Sequence, residues 1–221
     1  MSNNKNDFLT IKENGVSKLI IKKSKFICSM ARTETEQEAQ DFITQISKKY
    51  HDATHNTFAY TIGKNDEHVK ASDNGEPSGT AGIPELKALQ LMNLKNVTAV
   101  VTRYFGGIKL GAGGLIRAYS NSVTHAVEEI GVVKKCLQQE LALKISYANL
   151  DRVNHYLEQN EIYVADREFG AQVTIKVFLD LDQINSFKDE LINLLANNVK
   201  FTTGKQRYNE ISVTSTNYHE Q

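Results

Sequence analysis

The spacing of apolar residues up to Gly131 predicts a domain of mixed helices and strands. Apolar side chains recur on one helical face over residues 34–50, and Pro84 begins a second helix that runs to residue 94. A third helix carries its apolar face up to Gly131. Segments rich in β-formers separate these helices. They predict a strand or a bent hairpin at 16–32, where KKSK interrupts the pattern, and strands at 54–63, 68–72 and 97–105.

The pattern restarts beyond Gly131 and predicts a second domain. Two helices are indicated, one carrying Val153 and Leu157 and one capped by Asp180. Their order with the strands is βαββαβ, the split βαβ or ferredoxin-like motif, which is complete in itself. We therefore predict an α+β fold with domains at 1–134 and 135–221. The four strands are expected at 137–147, 162–169, 173–179 and 200–213.

The composition is that of a folded protein with two small cores. The chain has 221 residues, of which 40% are hydrophobic and 24% are charged. Its 26 basic residues balance 26 acidic ones. No global field therefore attracts the protein to nucleic acid or membrane, and any basic surface is a local patch.

Cysteine use and hydropathy indicate a cytoplasmic protein without a membrane partner. Cys28 and Cys136 lack CxxC or Cys/His spacing, which indicates reduced thiols packed in the core rather than a disulfide framework or a zinc site. The first residues lack an apolar signal segment, and no apolar run reaches the roughly 20 residues of a membrane span.

Glycine is concentrated in two stretches, DNGEPSGTAGIP at 73–84 and RYFGGIKLGAGGLIRAY at 103–119. Together they hold eight of the thirteen glycines and both prolines. Glycine is used where the backbone takes a positive φ or lies close to a ligand, and elsewhere it costs stability. This clustering therefore predicts the position of the functional site.

The second stretch is the stronger candidate, and it predicts an anion site. It lies between a strand and a helix, so unpaired N–H groups and the positive end of a helix dipole meet there. No Asp or Glu occurs between residues 97 and 124. A tyrosine beside the loop can stack on a base. The residues predicted to bind the anion are Arg103, Tyr104, Gly106, Gly107, Lys109, Gly111, Gly113, Gly114 and Arg117.

Known phosphate-binding loops do not match this stretch. Gly106 and Gly111 have the Walker spacing, but Ala112 and Gly113 follow where lysine and a hydroxyl residue are required. The third glycine of a dinucleotide-binding turn is also missing. The alternative interpretation is that the cations are solvated surface charges and that the glycines shape a tight crossover.

The first stretch supplies a second set of candidates, namely Asp73, Gly75, Glu76, Ser78, Gly79 and Thr80. Asp73 and Glu76 could bind Mg²⁺ or take a proton, or they could pair with Arg103 or Arg117 and fix the shape of the basic loop. Ser78 lies one residue out of register with a nucleophile motif. His51 and His55 lack the further ligands that zinc requires. We predict no catalytic residue, metal or cofactor.

Four segments of the chain closely resemble the YigZ/IMPACT family, also called UPF0029: KFIC, HNTFAY, SDNGEPSGTAGIP and VVTRYFGGIKLGAGGLIRAYS. The βαββαβ part resembles the smaller C-terminal domain of the bacterial two-domain members. The resemblance implies that the N-terminal domain has the fold of the second domain of ribosomal protein S5. It also implies that the C-terminal domain is similar to domain V of the translocation elongation factor.

These likenesses imply contact with RNA, the ribosome or a translation factor, and the eukaryotic members regulate translation by binding proteins. We therefore expect a non-enzymatic protein that binds RNA, the ribosome or a translation-associated partner through the basic loop. One alternative is a kinase-like enzyme that holds metabolite or nucleotide phosphates there, with Asp73 or Glu76 on Mg²⁺. Another is a regulator that binds only proteins. No specificity for DNA is indicated.

Overall fold

A computed structural model describes residues 5–213 and shows two compact units of mixed helices and strands. Within these residues the larger unit comprises 8–134 and 211–213, and the smaller comprises 5–7 and 135–210. The α+β class predicted from the sequence is confirmed. Across the described residues no helix is both long and apolar enough to cross a membrane. Cys28 and Cys136 are buried, and neither forms a disulfide.

The larger unit is built on an antiparallel sheet of five strands. The edge-to-edge order is β2 (Gly15–Ile21), β3 (Ser24–Arg32), β6 (Val97–Tyr104), β4 (His55–Ile62) and β5 (His68–Ser72). The central strands β3 and β6 are buried along almost their whole length because helices cover both faces of the sheet. A short first strand, β1 (Phe8–Ile11), adds Ile11 to the core.

Three helices cover this sheet. α1 (Glu36–Lys49) packs on β4 and β6 from one side, and α2 (Gly82–Leu91) and α3 (Ala112–Ile130) pack from the other. Side chains along β6 alternate between the two sides, so Val101 lies in the core with α2 and α3, whereas Val100 lies in the core with α1. The same alternation puts Arg103 on the α2 and α3 side.

The smaller unit has the ferredoxin-like topology that the βαββαβ pattern predicts. β7 (Val132–Ile145) pairs with both β10 (Lys200–Val213) and β9 (Val173–Asp180), and β9 pairs with β8 (Val164–Phe169). A short 3-10 helix (Tyr147–Asn149) precedes α4 (Leu150–Gln159), and α5 (Ile184–Leu194) precedes β10. The core of this unit is formed by apolar residues of β7, β9, α4 and α5, including Leu141, Leu143, Val153, Leu157, Ile175, Val177, Phe187 and Leu191.

The helix cap expected at Asp180 is wrong. Asp180 is the last residue of β9, and α5 begins after Gln183, which makes no side-chain capping hydrogen bond. The carboxylate of Asp180 instead accepts a hydrogen bond from Nε2 of Gln138 at 3.0 Å. The carboxylate of Asp180 therefore bonds to Gln138 of the neighbouring strand β7 and does not cap α5.

The terminal segments of the described chain exchange units, which the expected division at 134/135 does not include. Residues 5–7 belong with the smaller unit, where the Asp7 carboxylate accepts from the backbone N–H of Leu137 at 3.1 Å. Tyr208 also donates its hydroxyl to the carbonyl oxygen of Asn6 at 3.4 Å. At the other end, Val213 packs against the core of the larger unit.

We expect residues 135–210 to fold on their own, because the buried apolar core of this unit comes from its own side chains. The isolated fragment should unfold in one cooperative urea transition monitored by circular dichroism. A non-cooperative fragment beside a cooperative full-length chain would show that the unit needs the rest of the protein.

Candidate functional site

A buried ion pair joins the two glycine-rich stretches. Arg103, near the end of β6, donates from Nη1 to Oε1 of Glu76 at 2.6 Å. Tyr119 of α3 donates its hydroxyl to the same oxygen at 2.8 Å. All three residues are buried. Because a charge is stable in the interior only with a hydrogen-bonded partner, this network ties the first loop to β6 and α3.

Aromatic rings enclose the guanidinium group of Arg103. Its central carbon lies 5.6 Å from the ring centroids of both Phe26 and Phe105. Phe26 also contacts Tyr119 edge to face, with centroids 5.3 Å apart. The guanidinium therefore has a carboxylate partner and neighbouring aromatic rings, an arrangement in which it is desolvated without losing its charge.

His55 lies on the outer side of the same carboxylate. Its Nε2 is 3.9 Å from Oε1 of Glu76, and its Nδ1 is 3.2 Å from the carbonyl oxygen of Asn74. Burial and the adjacent Glu76 carboxylate raise the pKa of Tyr119. The tyrosine therefore keeps its proton and remains a hydrogen-bond donor to Glu76 at neutral pH.

Arg103, which the sequence predicts to bind an anion from a partner, is therefore paired with a carboxylate of the protein itself. Its charge is neutralised by Glu76, and 6% of its surface is exposed. Of the roles considered for Glu76, which were Mg²⁺ binding, taking a proton or pairing with a cation of the second loop, the structure shows the pairing with Arg103. The burial follows from the position of Arg103 in β6, where it alternates into the layer beneath α2 and α3.

Asp73 caps α2. Its carboxylate accepts from the backbone N–H groups of Gly79 at 2.8 Å and of Ala81 and Gly82 at 3.0 Å. Burial alone would raise the pKa of Asp73, but these three hydrogen bonds together lower it below the usual range. Ala81 is the N-cap and has no side-chain acceptor of its own, so Asp73 takes that role from a distance in sequence.

The other candidates of the first loop shape its turns. Gly75 and Gly79 have φ values of 94° and 75°, and Thr80 donates its hydroxyl to the carbonyl oxygen of Pro77 at 2.7 Å. Ser78 is exposed. In the described part of the chain, no three His, Cys, Asp or Glu side chains lie close enough to hold a metal ion. The loop acts as a scaffold for its neighbours.

The glycines of the second loop differ in how far the fold requires them. A Cβ at Gly106 would lie 2.0 Å from the carbonyl carbon of Lys23, so the close packing there needs glycine. Gly107 and Gly111 have φ values of 83° and 72°, which also favour glycine. Gly113 lies in the first turn of α3 with nothing within 4 Å of a built Cβ. Glycine in a helix costs up to about 1 kcal/mol relative to alanine, and the fold offers no compensation at Gly113.

Exposed cations lie around this loop, and we call them the basic cluster: Lys22, Lys23, Lys25, Lys109 and Arg117. The first three are on the hairpin between β2 and β3. Gly106 holds the tip of that hairpin beside the loop, since its N–H donates to Oγ of Ser24 at 3.2 Å. No member of the cluster forms an ion pair within residues 5–213.

The three hairpin lysines were not predicted as site residues. Ile21 pairs with Ser24, so Lys22 and Lys23 form a two-residue turn, and their φ values are 44° and 67°. Such turns favour Asn-Gly because both central residues need positive φ. Two lysines in this strained conformation point to a function outside the turn itself. The sequence signal was the KKSK interruption between two strand patterns.

Of the two aromatic residues beside the loop, Phe105 is more exposed than Tyr104, the reverse of the expectation. Tyr104 is half-buried, donates its hydroxyl to Oδ1 of Asp52 at 2.9 Å, and has Nζ of Lys25 4.4 Å from its ring centroid. Phe105 is 47% exposed. Phe105 is therefore the better placed ring for stacking, whereas the sequence favoured Tyr104.

A second buried carboxyl group lies in α2. Glu85 is fully buried and accepts a hydrogen bond from the hydroxyl of Thr57. Its Oε2 has no hydrogen-bond partner in the part of the chain that the structure describes. Burial raises the pKa of Glu85 well above the usual carboxyl value, against the opposing hydrogen bond from Thr57. Burial therefore favours the protonated, uncharged form of Glu85 over the carboxylate.

Comparisons with known proteins find relatives that extend over nearly the whole chain. Models of the Impact N-terminal domain and of a domain of unknown function, DUF1949, match residues 22–127 and 143–198. The IMPACT family member YvyE of Bacillus subtilis (strain 168) is 42% identical over 206 residues, which are 93% of this chain and 95% of that protein. YigZ of Escherichia coli (strain K12) is 34% identical over 173 residues, 77% and 85% of the two chains. A crystal structure of a hypothetical protein has a TM-score of 0.57 at 30% identity and covers 88% of this chain and 96% of its own.

Replacing Arg103 with alanine should lower the free energy of unfolding by about 3–5 kcal/mol, because it leaves the Glu76 carboxylate buried without a partner. Lys109→Ala removes the same charge from an exposed position and should change stability by no more than about 0.5 kcal/mol. Urea unfolding measures both. The double variant Arg103→Met with Glu76→Gln should recover part of the loss, and equal effects of the two single changes would contradict the buried pair.

Glu85→Gln should stabilise the protein more at pH 8 than at pH 5. The raised pKa of Glu85 means that its contribution is complete below the unfolded value of about 4.3 and is lost as the pH rises through the folded value. Glutamine is neutral throughout and lacks this dependence. Urea unfolding at both pH values, with the exposed Glu13→Gln as control, tests the point. A difference that does not change with pH would mean that Glu85 folds ionised.

Proposed function

Because the chain belongs to the IMPACT family and exposes the basic cluster beside its glycine loop, we propose that it acts in translation as a non-enzymatic cytoplasmic protein that binds RNA or the ribosome. The observation that carries the proposal is the contrast between cations. Arg103 is neutralised inside the protein, whereas the five members of the basic cluster are solvent-exposed and form no ion pair within the described chain.

The chemistry around the loop suits a phosphate backbone with unpaired bases. Clustered lysine and arginine side chains neutralise phosphates and release counterions. The first hydrogen bond of α3 is donated by Leu115 to Gly111 at 2.9 Å, so the preceding helical N–H groups are open to an anion. Phe105 adds an exposed ring on which a base can stack. These features together support RNA as the partner.

The first loop argues against the kinase-like alternative. A kinase would need carboxylates free to hold Mg²⁺ beside the bound phosphates. The Asp73 oxygens accept three backbone hydrogen bonds, and Oε1 of Glu76 is shared by Arg103 and Tyr119. Both carboxylates thus support the scaffold.

A translation-associated protein is the second candidate partner. Ile108 in the loop and Ile116 in α3 are each 42% exposed, and apolar side chains beside a charged patch also suit a protein surface. The two candidates differ in salt dependence, because counterion release scales with the number of phosphates contacted.

The double variant Lys109→Ala with Arg117→Ala should weaken binding to a labelled stem-loop RNA. Each lost phosphate contact should reduce the slope of log affinity against log salt by roughly 0.7, so the pair should reduce it by about 1.4. Fluorescence anisotropy between about 50 and 300 mM salt gives the slope. The control is Lys70→Ala with Lys87→Ala, which removes two exposed cations elsewhere on the same unit. Equal slopes in the two double variants would refute RNA binding through the loop.

A turn variant separates binding from folding in the same assay. Lys22→Asn with Lys23→Gly installs the residues that this turn prefers and removes two charges of the basic cluster. Stability to urea should rise while RNA affinity and salt slope fall. Unchanged affinity in a stabilised variant would restrict the RNA contact to the loop and α3.

A further inference from the structure

A cavity of about 740 Å³ in the smaller unit has the size of a small-ligand pocket. It lies where the end of α4, the end of β9, the start of α5 and the strand β10 meet. The residues that line it include Tyr163, Phe178, Asp180, Glu161, Glu190 and Arg207. None of them belongs to the basic cluster.

Arg207 lies in the cavity wall with its hydrogen-bonding capacity unused. Its guanidinium carbon is 3.6 Å from the ring centroid of Phe178 and 6.0 Å from that of Tyr163. Its Nε is buried, and it has no acceptor among residues 5–213. Unpaired guanidinium donors are costly in a partly buried place. A ligand that brings an oxygen or ring-nitrogen acceptor to the outer guanidinium nitrogens would use this capacity.

Tyr163 forms an exposed rim of the cavity. It is 67% exposed although it is a large aromatic side chain. Its ring lies beside the stacked pair of Phe178 and Arg207, so a flat ligand entering the cavity can lie against an aromatic face. A planar ring is therefore the shape that this wall fits.

The charge of the cavity is mainly negative and restricts the ligand further. Glu161, Asp180 and Glu190 line it against one guanidinium. Tyr156 donates its hydroxyl to Oε2 of Glu190 at 2.7 Å, which fixes that carboxylate in place. Such a lining disfavours a phosphate inside the cavity and favours a group that presents N–H donors.

We propose that this cavity binds an unpaired guanine base of an RNA, with the sugar and phosphates outside. Guanine carries the O6 and N7 acceptors that an arginine recognises, and its N–H groups can donate to carboxylates. Unpaired bases are the parts of RNA that proteins read by stacking and edge contacts. The inference rests on the proposed RNA-binding function, and it adds the base that the smaller unit recognises.

Guanosine tests the cavity without the phosphates on which the basic cluster acts. We expect a titration of the full-length chain, followed by NMR, to shift amide signals at 160–163, 178–183 and 207–209. Adenosine should shift them less. No shift there at millimolar guanosine would overturn the base site, even if RNA still binds through the basic cluster. An equal response to adenosine would overturn the choice of guanine.

Tyr163→Ala should weaken guanosine binding roughly tenfold, since it removes a stacking face. Because Tyr163 is largely exposed, the change should have little effect on folding. The matched control is Phe169→Ala, which removes a ring that is 63% exposed in β8 and lies outside the cavity. Equal affinities of the two variants would count against the cavity. Selective binding of an arginine-rich peptide instead of guanosine would assign the acidic lining to a protein partner and overturn the proposal.

In RNA the same variants should separate the two sites. Changing a single unpaired guanine of the stem-loop to adenine should lower affinity for the wild type and have little effect on Tyr163→Ala. The salt slope should be equal in both, because a base contact releases no counterions. A guanine preference that survives in Tyr163→Ala would place base recognition elsewhere.

Discussion

The buried contact between Glu76 and Arg103 is the interaction on which the candidate site depends. A single carboxylate oxygen receives hydrogen bonds from the end of β6 and from α3, while its own residue belongs to the loop before α2. Three elements distant in sequence therefore meet at one atom. α3 begins after Gly111, which provides no side-chain cap. The hydrogen bond from Tyr119, about two turns into the helix, fixes α3 to Glu76. This contact thus positions the uncapped N-terminus of α3.

That anchorage separates the basic residues of one short stretch into two kinds. Arg103 supports the structure from inside, and Lys109 and Arg117 face solvent from the loop and the helix that it supports. The hairpin lysines lie beside the loop because Gly106 packs directly against the backbone of Lys23, where a Cβ would not fit. Placing charge on a rigid frame reduces the entropy lost when a partner binds.

Apolar periodicity predicted nearly every helix and strand, and the βαββαβ order predicted the topology of the smaller unit. It could not predict the burial of Arg103, because alternation along a strand does not reveal which helices cover its end. The exposure of Phe105 instead of Tyr104 depends on a partner, Asp52, that is distant in sequence. The cap expected at Asp180 failed for a similar reason, since Gln138 of a neighbouring strand took that carboxylate. Local pattern determines elements, whereas partners come from the tertiary fold.

The exchange of terminal segments has a consequence for how the protein is made. Residues 5–7 are synthesised before the larger unit but belong with the smaller one, and residues 211–213 are synthesised after residues 135–210 but belong with the larger unit. Residues 5–7 are already available when the smaller unit is synthesised, whereas the larger unit has to wait for residues 211–213. The larger unit can form its sheet early, yet the packing of Val213 on its core completes only after the smaller unit has been synthesised.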